Sequence, residues 1–314
     1  MTTLADSYAQ VKRGVVAVVA RYSKNPEFPT IIGTGFVARS DGLILTCKHV
    51  ADAIRGLPRP KDAPKDQWPA LALLFHMVEG EGMAEVPLEI DSVCVPGKLH
   101  AEGHYYGPDT PDVGALFVKI KDLPEVRITS DAPPREGETV GVAGFPMGTE
   151  ALRAPGWLHH VSPTLQTGVV SALLPFSCET PHALLLDTAT LGGSSGSPVF
   201  DPATAEVVGM VYAGLEENRG MSSIHGSLLY KVPTSLAYAV PAHMLRTVLV
   251  AFAQHDLFKK AQAKQVSLND FMDSVERIVV KPKSGKGVLQ PWTGVKAWQQ
   301  GAAPSARAED EDSP

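Results

Sequence analysis

Cysteine is scarce in this chain of 314 residues, which contains only Cys47, Cys94 and Cys178. Their number is odd and no CxxC or CxxH spacing occurs among them, so neither a disulfide framework nor a cysteine-rich metal site is indicated. We expect reduced thiols and a cytoplasmic protein. Long hydrophobic runs are also lacking, because the apolar stretch over 15–20 is too short for a membrane span or an ordinary signal sequence.

An excess of positive charge is lacking as well, since 28 Lys and Arg face 34 Asp and Glu. Nucleic-acid binders usually carry a clustered basic surface, so we expect neither a nucleic acid nor a membrane as partner. Gly33-Thr34-Gly35 lacks the third glycine of a dinucleotide fingerprint, and no P-loop occurs. Adjacent His159 and His160 on a strand face opposite sides. We therefore assign no cofactor and no metal.

Glycine and proline are abundant, with 28 and 26 residues, and they separate short runs rich in Val, Ile, Leu and Thr. This pattern is typical of an all-β protein, with barrels or a sandwich. Eight strand-length runs lie at 14–20, 35–38, 43–46, 114–120, 139–143, 167–173, 183–187 and 206–212. The charged, proline-rich stretch 56–66 predicts an exposed loop, and 216–235 predicts a second loop.

The periodicity changes after Pro241, where apolar residues recur at helical spacing. They are Met244, Leu245, Val248, Leu249 and Phe252. A second helix is predicted after Ser267, which has Asp270 three residues on as a capping partner, with an apolar face of Leu268, Phe271, Met272, Val275 and Ile278. The stretch 301–314 holds four acids, one arginine and no large apolar residue, so we expect disorder there.

The sequence Leu-Gly-Gly-Ser-Ser-Gly-Ser-Pro-Val-Phe at 191–200 carries the strongest chemical signal. Small neighbours let the hydroxyl of Ser195 stand out from a tight turn, and the backbone amides of Gly193 and Ser195 can converge as an oxyanion hole. A plain Gly/Ser turn is the alternative for this stretch alone. Ser194 is the competing hydroxyl, but it occupies the variable position of Gly-x-Ser-Gly.

A serine hydroxyl needs a base, and the base needs an acid that orients it. His49 stands at the end of the second of two strand-like runs joined by the turn at 40–42. Asp112 precedes the buried run at 113–120. Each residue alone is more often structural, but the combination with Ser195 predicts a catalytic triad.

At these residues the chain resembles a trypsin-like serine protease of the chymotrypsin fold, over about residues 10–250. Segments 33–50, 141–148, 166–172 and 237–241 resemble the Deg/HtrA proteases. Thr46-Cys47-Lys48-His49-Val50 and segment 192–200 are equally similar to the bacterial glutamyl endopeptidases, so the subfamily stays open.

The resemblance implies two six-stranded antiparallel β-barrels that divide near 125–135. It makes Ser195 the nucleophile, His49 the general base and Asp112 its orienter, with the Gly193 and Ser195 amides as the oxyanion hole. We accordingly expect barrels at 10–125 and 126–240, a helical appendage at 241–300 and a tail at 301–314. The segment after residue 250 is too short for the PDZ domain of Deg/HtrA proteases.

Departures from these families narrow the expected specificity. Ser194 stands where digestive enzymes carry the acid that pairs with a freed N-terminal amine. Ala189 stands where enzymes for Lys or Arg substrates carry an acid, and Val211 where glutamyl endopeptidases carry a histidine. The expected pocket for the P1 residue, the substrate residue before the scissile bond, is therefore small and suits an aliphatic side chain. Its residues are Ala189, Thr190, Val211, Gly214 and Tyr238.

The expected function is a serine endopeptidase acting on a protein or peptide substrate. The alternative is a latent or catalytically inactive protease-fold scaffold that needs, or serves as, a binding partner. A regulatory protein is the further partner that we consider.

Overall fold

The computed structural model describes residues 2–23, 30–79, 82–97, 110–148, 162–223, 226–279, 290–291 and 295–298. The expectations for His159, His160 and the acidic stretch 301–314 lie outside these ranges. A short helix α1 (Leu4–Val11) opens the chain, capped by Thr3, whose side chain accepts a hydrogen bond from the Asp6 amide. Across the described ranges, no helix combines the length and the apolar character that crossing a membrane requires.

The first half of the chain forms a closed barrel of six antiparallel strands, joined in the order β1-β3-β4-β7-β6-β5. The strands of this half are β1 (Val15–Ala20), β2 (Tyr22–Ser23), β3 (Ile31–Arg39), β4 (Leu43–Thr46), β5 (Ala70–Val78), β6 (Gly82–Cys94), β7 (Gly114–Val118) and β8 (Ile120–Lys121). Helix α2 (Lys48–Ala53) directly follows β4. The barrel closes because the long strand β6 pairs with β5 at its beginning and with β7 at its end.

The second half forms another closed six-stranded barrel, in the order β10-β11-β14-β13-β12-β9. Its strands are β9 (Thr139–Gly144), β10 (Thr164–Leu174), β11 (Ala183–Asp187), β12 (Pro198–Phe200), β13 (Val207–Ser223) and β14 (Gly226–Pro241). Two closed barrels leave few sheet edges unpaired, and each barrel has a buried apolar interior. The predicted fold of two six-stranded antiparallel barrels is confirmed.

One connection differs from the sequence-based expectation. Residues 216–235 were expected to form a loop, but residues 216–223 and 226–235 lie in β13 and β14, which pair from Glu216↔Pro233 to Ser223↔Gly226. We call the paired residues 216–223 and 226–233 the ribbon. The sequence at 216–223 has no alternation of apolar and polar residues, so its period does not indicate a strand. The ribbon follows a register shift between Gly214 and Glu216, where the partner in β14 changes from Ala237 to Pro233.

Helices follow the second barrel, as the apolar periodicity predicts. They are α3 (Ala242–Ala253), α4 (Asp256–Gln262) and α5 (Leu268–Ser274). Ser267 caps α5 by accepting a hydrogen bond from the Asp270 amide at 3.0 Å, but this helix ends before the predicted face reaches Val275 and Ile278. Short strands accompany the helices, namely β15 (Val266–Ser267), β16 (Arg277–Val279), β17 (Gln290–Pro291) and β18 (Val295–Trp298).

This last segment returns to the first barrel rather than standing apart. Phe252 and Phe258 pack their rings against Phe117 of β7, with centroids 6.5 and 5.1 Å away. The β15 strand pairs with β8, and β18 pairs with β6. The segment therefore contains strands as well as helices and covers the first barrel. The predicted domain limits themselves stay predictions.

Candidate active site

His49 and Asp112 meet at one end of the first barrel. His49 is the second residue of α2, which follows β4, and Asp112 lies just before β7. Because β4 pairs with β7, the end of β4 and the start of β7 lie side by side at Thr46↔Gly114. The topology therefore brings together two residues that stand far apart in the sequence.

The Asp112 carboxylate holds the histidine at two points. Its Oδ1 accepts the backbone N–H of His49 at 2.9 Å, and its Oδ2 lies 2.5 Å from Nδ1 of the ring. If Nδ1 carries the proton that it donates to Asp112, Nε2 is left as a proton acceptor. The His49 side chain is 51% exposed, so a substrate can reach its Nε2 atom.

Ser195 lies in a compact turn between β11 and β12 in the second barrel. The Ser194 amide donates to Leu191 C=O at 3.0 Å, and the Ser197 amide donates to Ser194 C=O at 3.0 Å. Within the described residues, the backbone N–H groups of Gly193 and Ser195 donate no hydrogen bond to another backbone carbonyl. These two amides, the expected oxyanion hole, are therefore available as donors.

Two glycines make this turn possible. Gly193 has φ +100, and a Cβ there would lie 2.3 Å from the Phe145 carbonyl oxygen. Gly196 has φ +93, and a Cβ there would lie 1.9 Å from the Thr34 carbonyl oxygen. Side chains are disfavoured in this backbone region and have no room here, so only glycine fits at either position.

The two barrels meet at Thr34 of β3, a fully buried residue. Its amide donates to the Ser195 carbonyl at 2.8 Å, and its Oγ1 donates to the Gly193 carbonyl at 2.7 Å. The Thr46 hydroxyl in turn donates to the Thr34 carbonyl at 2.6 Å. The first barrel therefore fixes the Ser195 turn of the second barrel next to the strand end that leads to His49.

Sequence reasoning did not assign Thr34 to the site. Its sequence signal is the pair of flanking glycines in Gly33-Thr34-Gly35, which let a neighbouring backbone approach closely. A Cβ on Gly33 would lie 3.2 Å from the Ser195 carbonyl oxygen.

Cys47 lies behind His49 and joins the two barrels from within. Its Sγ donates a hydrogen bond to the Val211 carbonyl at 3.2 Å, and that carbonyl also accepts the Gly196 amide at 2.8 Å. Burial, together with the nearby Asp112 charge, raises the pKa of the Cys47 thiol well above its ordinary value. The thiol is therefore protonated at neutral pH, as a hydrogen-bond donor to Val211 requires.

Cys47, His49 and Asp112 also form a cluster in which one ligand-type atom from each lies within 4.8 Å of the others. Cys47 Sγ, His49 Nδ1 and Asp112 Oδ2 each have a hydrogen-bonding partner in the chain. We therefore assign the cluster to the hydrogen-bond network rather than to a metal ion.

The expected P1-pocket residues fall into two groups. Thr190 and Gly214 lie together, since a Cβ on Gly214 would be 2.1 Å from Thr190 Oγ1. Ala189 is exposed and its carbonyl accepts Gln166 Nε2 at 2.8 Å. The Val211 side chain, by contrast, packs in the interior of the second barrel, and Tyr238 stacks on Tyr212 with centroids 6.0 Å apart.

The fold and the arrangement of these side chains define a class of protein. Two closed six-stranded barrels, with a histidine and its carboxylate on one and a glycine-flanked serine turn on the other, are the architecture of chymotrypsin-type serine proteases. The chain belongs to the trypsin-like peptidase domain family, which matches it over residues 33–210. The resemblance drawn from the sequence is thereby confirmed.

Among curated proteins, the chain is similar to the peroxisomal leader peptide-processing proteases of Mus musculus and Homo sapiens. Each is 25% identical over 233 residues, which cover 73% of this chain and 32% of the relative. The chain thus spans about a third of the length of these relatives.

A solved structure of the HtrA-type protease AlgW with a decapeptide shares the fold. Its TM-score is 0.51 at 16% sequence identity, and the match covers 80% of this chain and 68% of that one.

Proposed function

We propose that this chain is a serine endopeptidase that hydrolyses peptide bonds through Ser195, His49 and Asp112. The observation that carries the proposal is the contact between His49 Nδ1 and Asp112 Oδ2 at 2.5 Å, on the barrel to which the Ser195 turn is bound through Thr34. A serine without a positioned base is a poor nucleophile, whereas this serine turn is bound to the barrel that carries an oriented imidazole.

In the proposed reaction, Ser195 Oγ attacks the peptide carbonyl while His49 Nε2 takes the hydroxyl proton. The carbonyl π electrons move to oxygen, and the Gly193 and Ser195 amides donate to the resulting oxyanion. Collapse of this intermediate breaks the C–N bond, and His49 returns the proton to the leaving amine. A water molecule, deprotonated by His49, then hydrolyses the acyl-enzyme and regenerates Ser195.

We further propose a small or aliphatic P1 residue. Ala189 brings no charge to the expected pocket, and the Thr190 hydroxyl against Gly214 limits its depth. A P1 peptide library tests this, with faster cleavage after Ala or Val than after Lys or Glu as the expected result.

A latent protease is the second candidate. It is favoured by one observation: no hydrogen bond joins Ser195 Oγ to His49 in the part of the chain that the structure describes. In ligand-free proteases such bonds are often long and tighten only with substrate. In this case a regulatory protein partner or the substrate itself completes the site.

Labelling with a fluorophosphonate probe tests the proposed function. The expected result is an adduct on Ser195 by mass spectrometry, which disappears in Ser195→Ala and in His49→Ala. Ser194→Ala is the matched control, because its hydroxyl is the neighbour in the same turn, and it should keep the adduct. Labelling only after a cell lysate is added identifies the latent form, whereas peptidase activity retained by Ser195→Ala contradicts the proposal.

A further inference from the structure

A cavity of about 440 Å³ lies where helix α1, the β5–β6 hairpin and the residues just before β10 meet. None of the three triad residues and none of the expected P1-pocket residues lines it. Its volume is in the range of cavities that bind small molecules in proteins. The cavity is therefore a candidate binding site separate from the candidate active site.

The floor of the cavity is apolar because strand pairing brings large side chains to one face of the hairpin. Met77 of β5 lies directly opposite Met83 of β6, and Phe75 precedes Met77 by two residues and so shares its face. Phe75 is buried, whereas Met77 is 52% exposed. Methionine side chains are flexible and polarisable, so they adapt to apolar groups of different shapes. The floor therefore offers contacts to an apolar ligand.

The walls of the cavity are fixed by contacts between the two barrels. The Tyr8 hydroxyl of α1 donates a hydrogen bond to the Pro163 carbonyl, and the Ser7 hydroxyl donates to the Pro202 carbonyl at 2.6 Å, so α1 is attached to the second barrel. Phe75 of the first barrel packs on Phe145 of the second, with ring centroids 5.4 Å apart. The cavity is therefore formed by the fold itself, before any ligand binds.

Two basic side chains stand at the rim. Lys12 and Arg13 lie in the short 3-10 turn Lys12–Gly14, between α1 and β1. Because β1 runs antiparallel to β5, the residues just before β1 lie beside the end of β5 that carries Met77. The Lys12 ammonium lies 5.3 Å from the centre of the Tyr8 ring, and neither basic residue has an ion-pair partner in the described part of the chain. Both charges are therefore available to an anion.

The acidic groups nearby do not neutralise this rim. Glu79 is the one acid among the described residues that line the cavity, and it is exposed at the far end of β5. The Glu85 carboxylate, opposite Phe75, is buried and does not line the cavity. His76 is the remaining titratable group of the lining, and it adds no negative charge. An anion is thus favoured over a cation next to the apolar floor.

We propose that this cavity binds a small amphiphilic anion, namely an alkyl chain that ends in a carboxylate. The chain lies on Phe75, Met77 and Met83, where burial of each methylene is favourable. The carboxylate pairs with Lys12 and Arg13, which gain the anionic partner that the chain itself does not supply. This binding site does not depend on the proposed protease function.

Isothermal titration with octanoate, decanoate and dodecanoate tests the proposal, each below its micelle-forming concentration. Each added methylene should lower Kd by about threefold to fourfold until the chain fills the cavity. Dodecyltrimethylammonium, which has the same chain on a cationic head group, should bind at least about tenfold more weakly than dodecanoate. Ser195→Ala should bind dodecanoate like the wild type, so failure of the proposed function leaves this result unchanged. Equal affinity for the anionic and the cationic probe, or binding of neither, overturns the proposal.

The rim is tested by a pair of double variants. Lys12→Gln with Arg13→Gln should raise the Kd of dodecanoate about tenfold, as loss of two partly exposed ion pairs would give. Lys12→Glu with Arg13→Glu should reverse the preference towards the cationic probe. The matched control is Lys259→Gln with Lys260→Gln on α4, which removes the same charge at exposed residues outside the cavity. An equal loss of affinity in the control assigns the effect to net charge and overturns the proposed site.

A further measurement uses only the wild-type protein and stands even if the variants fail to fold. In protein labelled with ¹³C at the methionine methyl groups, dodecanoate should shift the resonances of Met77 and Met83. The resonance of Met210, which is fully buried and does not line the cavity, should stay in place. Shifts that leave Met77 and Met83 unchanged place the ligand elsewhere and overturn the proposal.

Discussion

Thr34 Oγ1 of the first barrel donates a hydrogen bond to the Gly193 carbonyl of the second barrel at 2.7 Å. The contact fixes the peptide plane between Gly193 and Ser194, inside the turn that carries Ser195. Thr34 is thus a positioning residue for the nucleophile and for the amides beside it.

Thr34→Val keeps the shape of the side chain and removes this donor. We expect kcat to fall by about tenfold to a hundredfold, because misplaced donors lose much of their effect on a developing oxyanion. Thr34→Ser restores the hydroxyl and should recover most of the activity, which a purely packing role does not predict. Thr129→Val, at another buried threonine, is the matched control for stability. Equal activity of Thr34→Val and wild type would contradict the role.

The pair Gly193→Ala and Gly192→Ala tests the backbone of the turn. At Gly193 the new Cβ would lie 2.3 Å from the Phe145 carbonyl oxygen, and φ is +100, whereas a Cβ on Gly192 meets nothing within 4 Å. We expect Gly193→Ala to lose fluorophosphonate labelling by on the order of a hundredfold or more. Gly192→Ala should label at nearly the wild-type rate. Similar labelling rates for both variants would show that the turn can accommodate the new side chain at Gly193 without losing its reactivity.

Asp112→Asn should leave the fold intact and lower kcat by on the order of 10³ to 10⁴, because an amide favours the wrong imidazole tautomer. Peptidase assays and an unfolding curve measure the two effects separately. Asp52→Asn is the control, because Asp52 lies on the same helix as His49, α2, but pairs with Lys48 and Arg55 rather than with His49. Loss of activity in both variants to the same extent would assign the effect to the helix.

The raised pKa of Cys47 predicts slow alkylation of the folded protein by iodoacetamide, because the thiolate is the reactive form. The Cys94 thiol is half-buried, and burial raises its pKa as well, so it should react slowly but before Cys47. Mass spectrometry of tryptic peptides gives the order. In denaturant the two should react alike; folded protein that labels first at Cys47 contradicts the assignment.

The same shift predicts how stability depends on pH. Because its pKa is raised, the Cys47 thiol of the folded protein stays protonated at pH values above the ordinary pKa of a cysteine. The contribution of this shift to the free energy of unfolding is therefore fully present below that ordinary pKa and is lost as the pH rises beyond it. The free energy of unfolding should therefore fall more steeply above about pH 9 in the wild type than in Cys47→Ala. Parallel curves for the two proteins would exclude this contribution.

The Gly and Pro residues that separate short apolar runs predict an all-β protein with barrels or a sandwich, and the resemblance to trypsin-like proteases predicts the two closed six-stranded barrels. His49 and Asp112 could be found because each adjoins a strand whose end is recognisable, and pairing of those strands brings them together. The role of Thr34 could not be predicted, because it depends on a hydrogen bond between the two barrels. The spacing of apolar residues along the sequence does not indicate such a contact.

The ribbon was missed for a related reason. Its strands are held together by backbone pairing from Glu216↔Pro233 to Ser223↔Gly226, whereas sequence reasoning detects strands through side-chain alternation. Likewise, helical spacing predicts α3 from its buried Leu245, Val248 and Phe252, but it cannot tell which barrel the following segment covers.

The packing of Phe258 on Phe117 has a consequence for the order in which the molecule matures. Synthesis proceeds from the N-terminus, so the first barrel emerges from the ribosome long before the helix that covers it. Its Phe117 face stays open to solvent until the whole second barrel and α4 have been made. A nascent chain therefore gains the last apolar cover of the barrel that holds His49 only after the barrel that holds Ser195 has been synthesised.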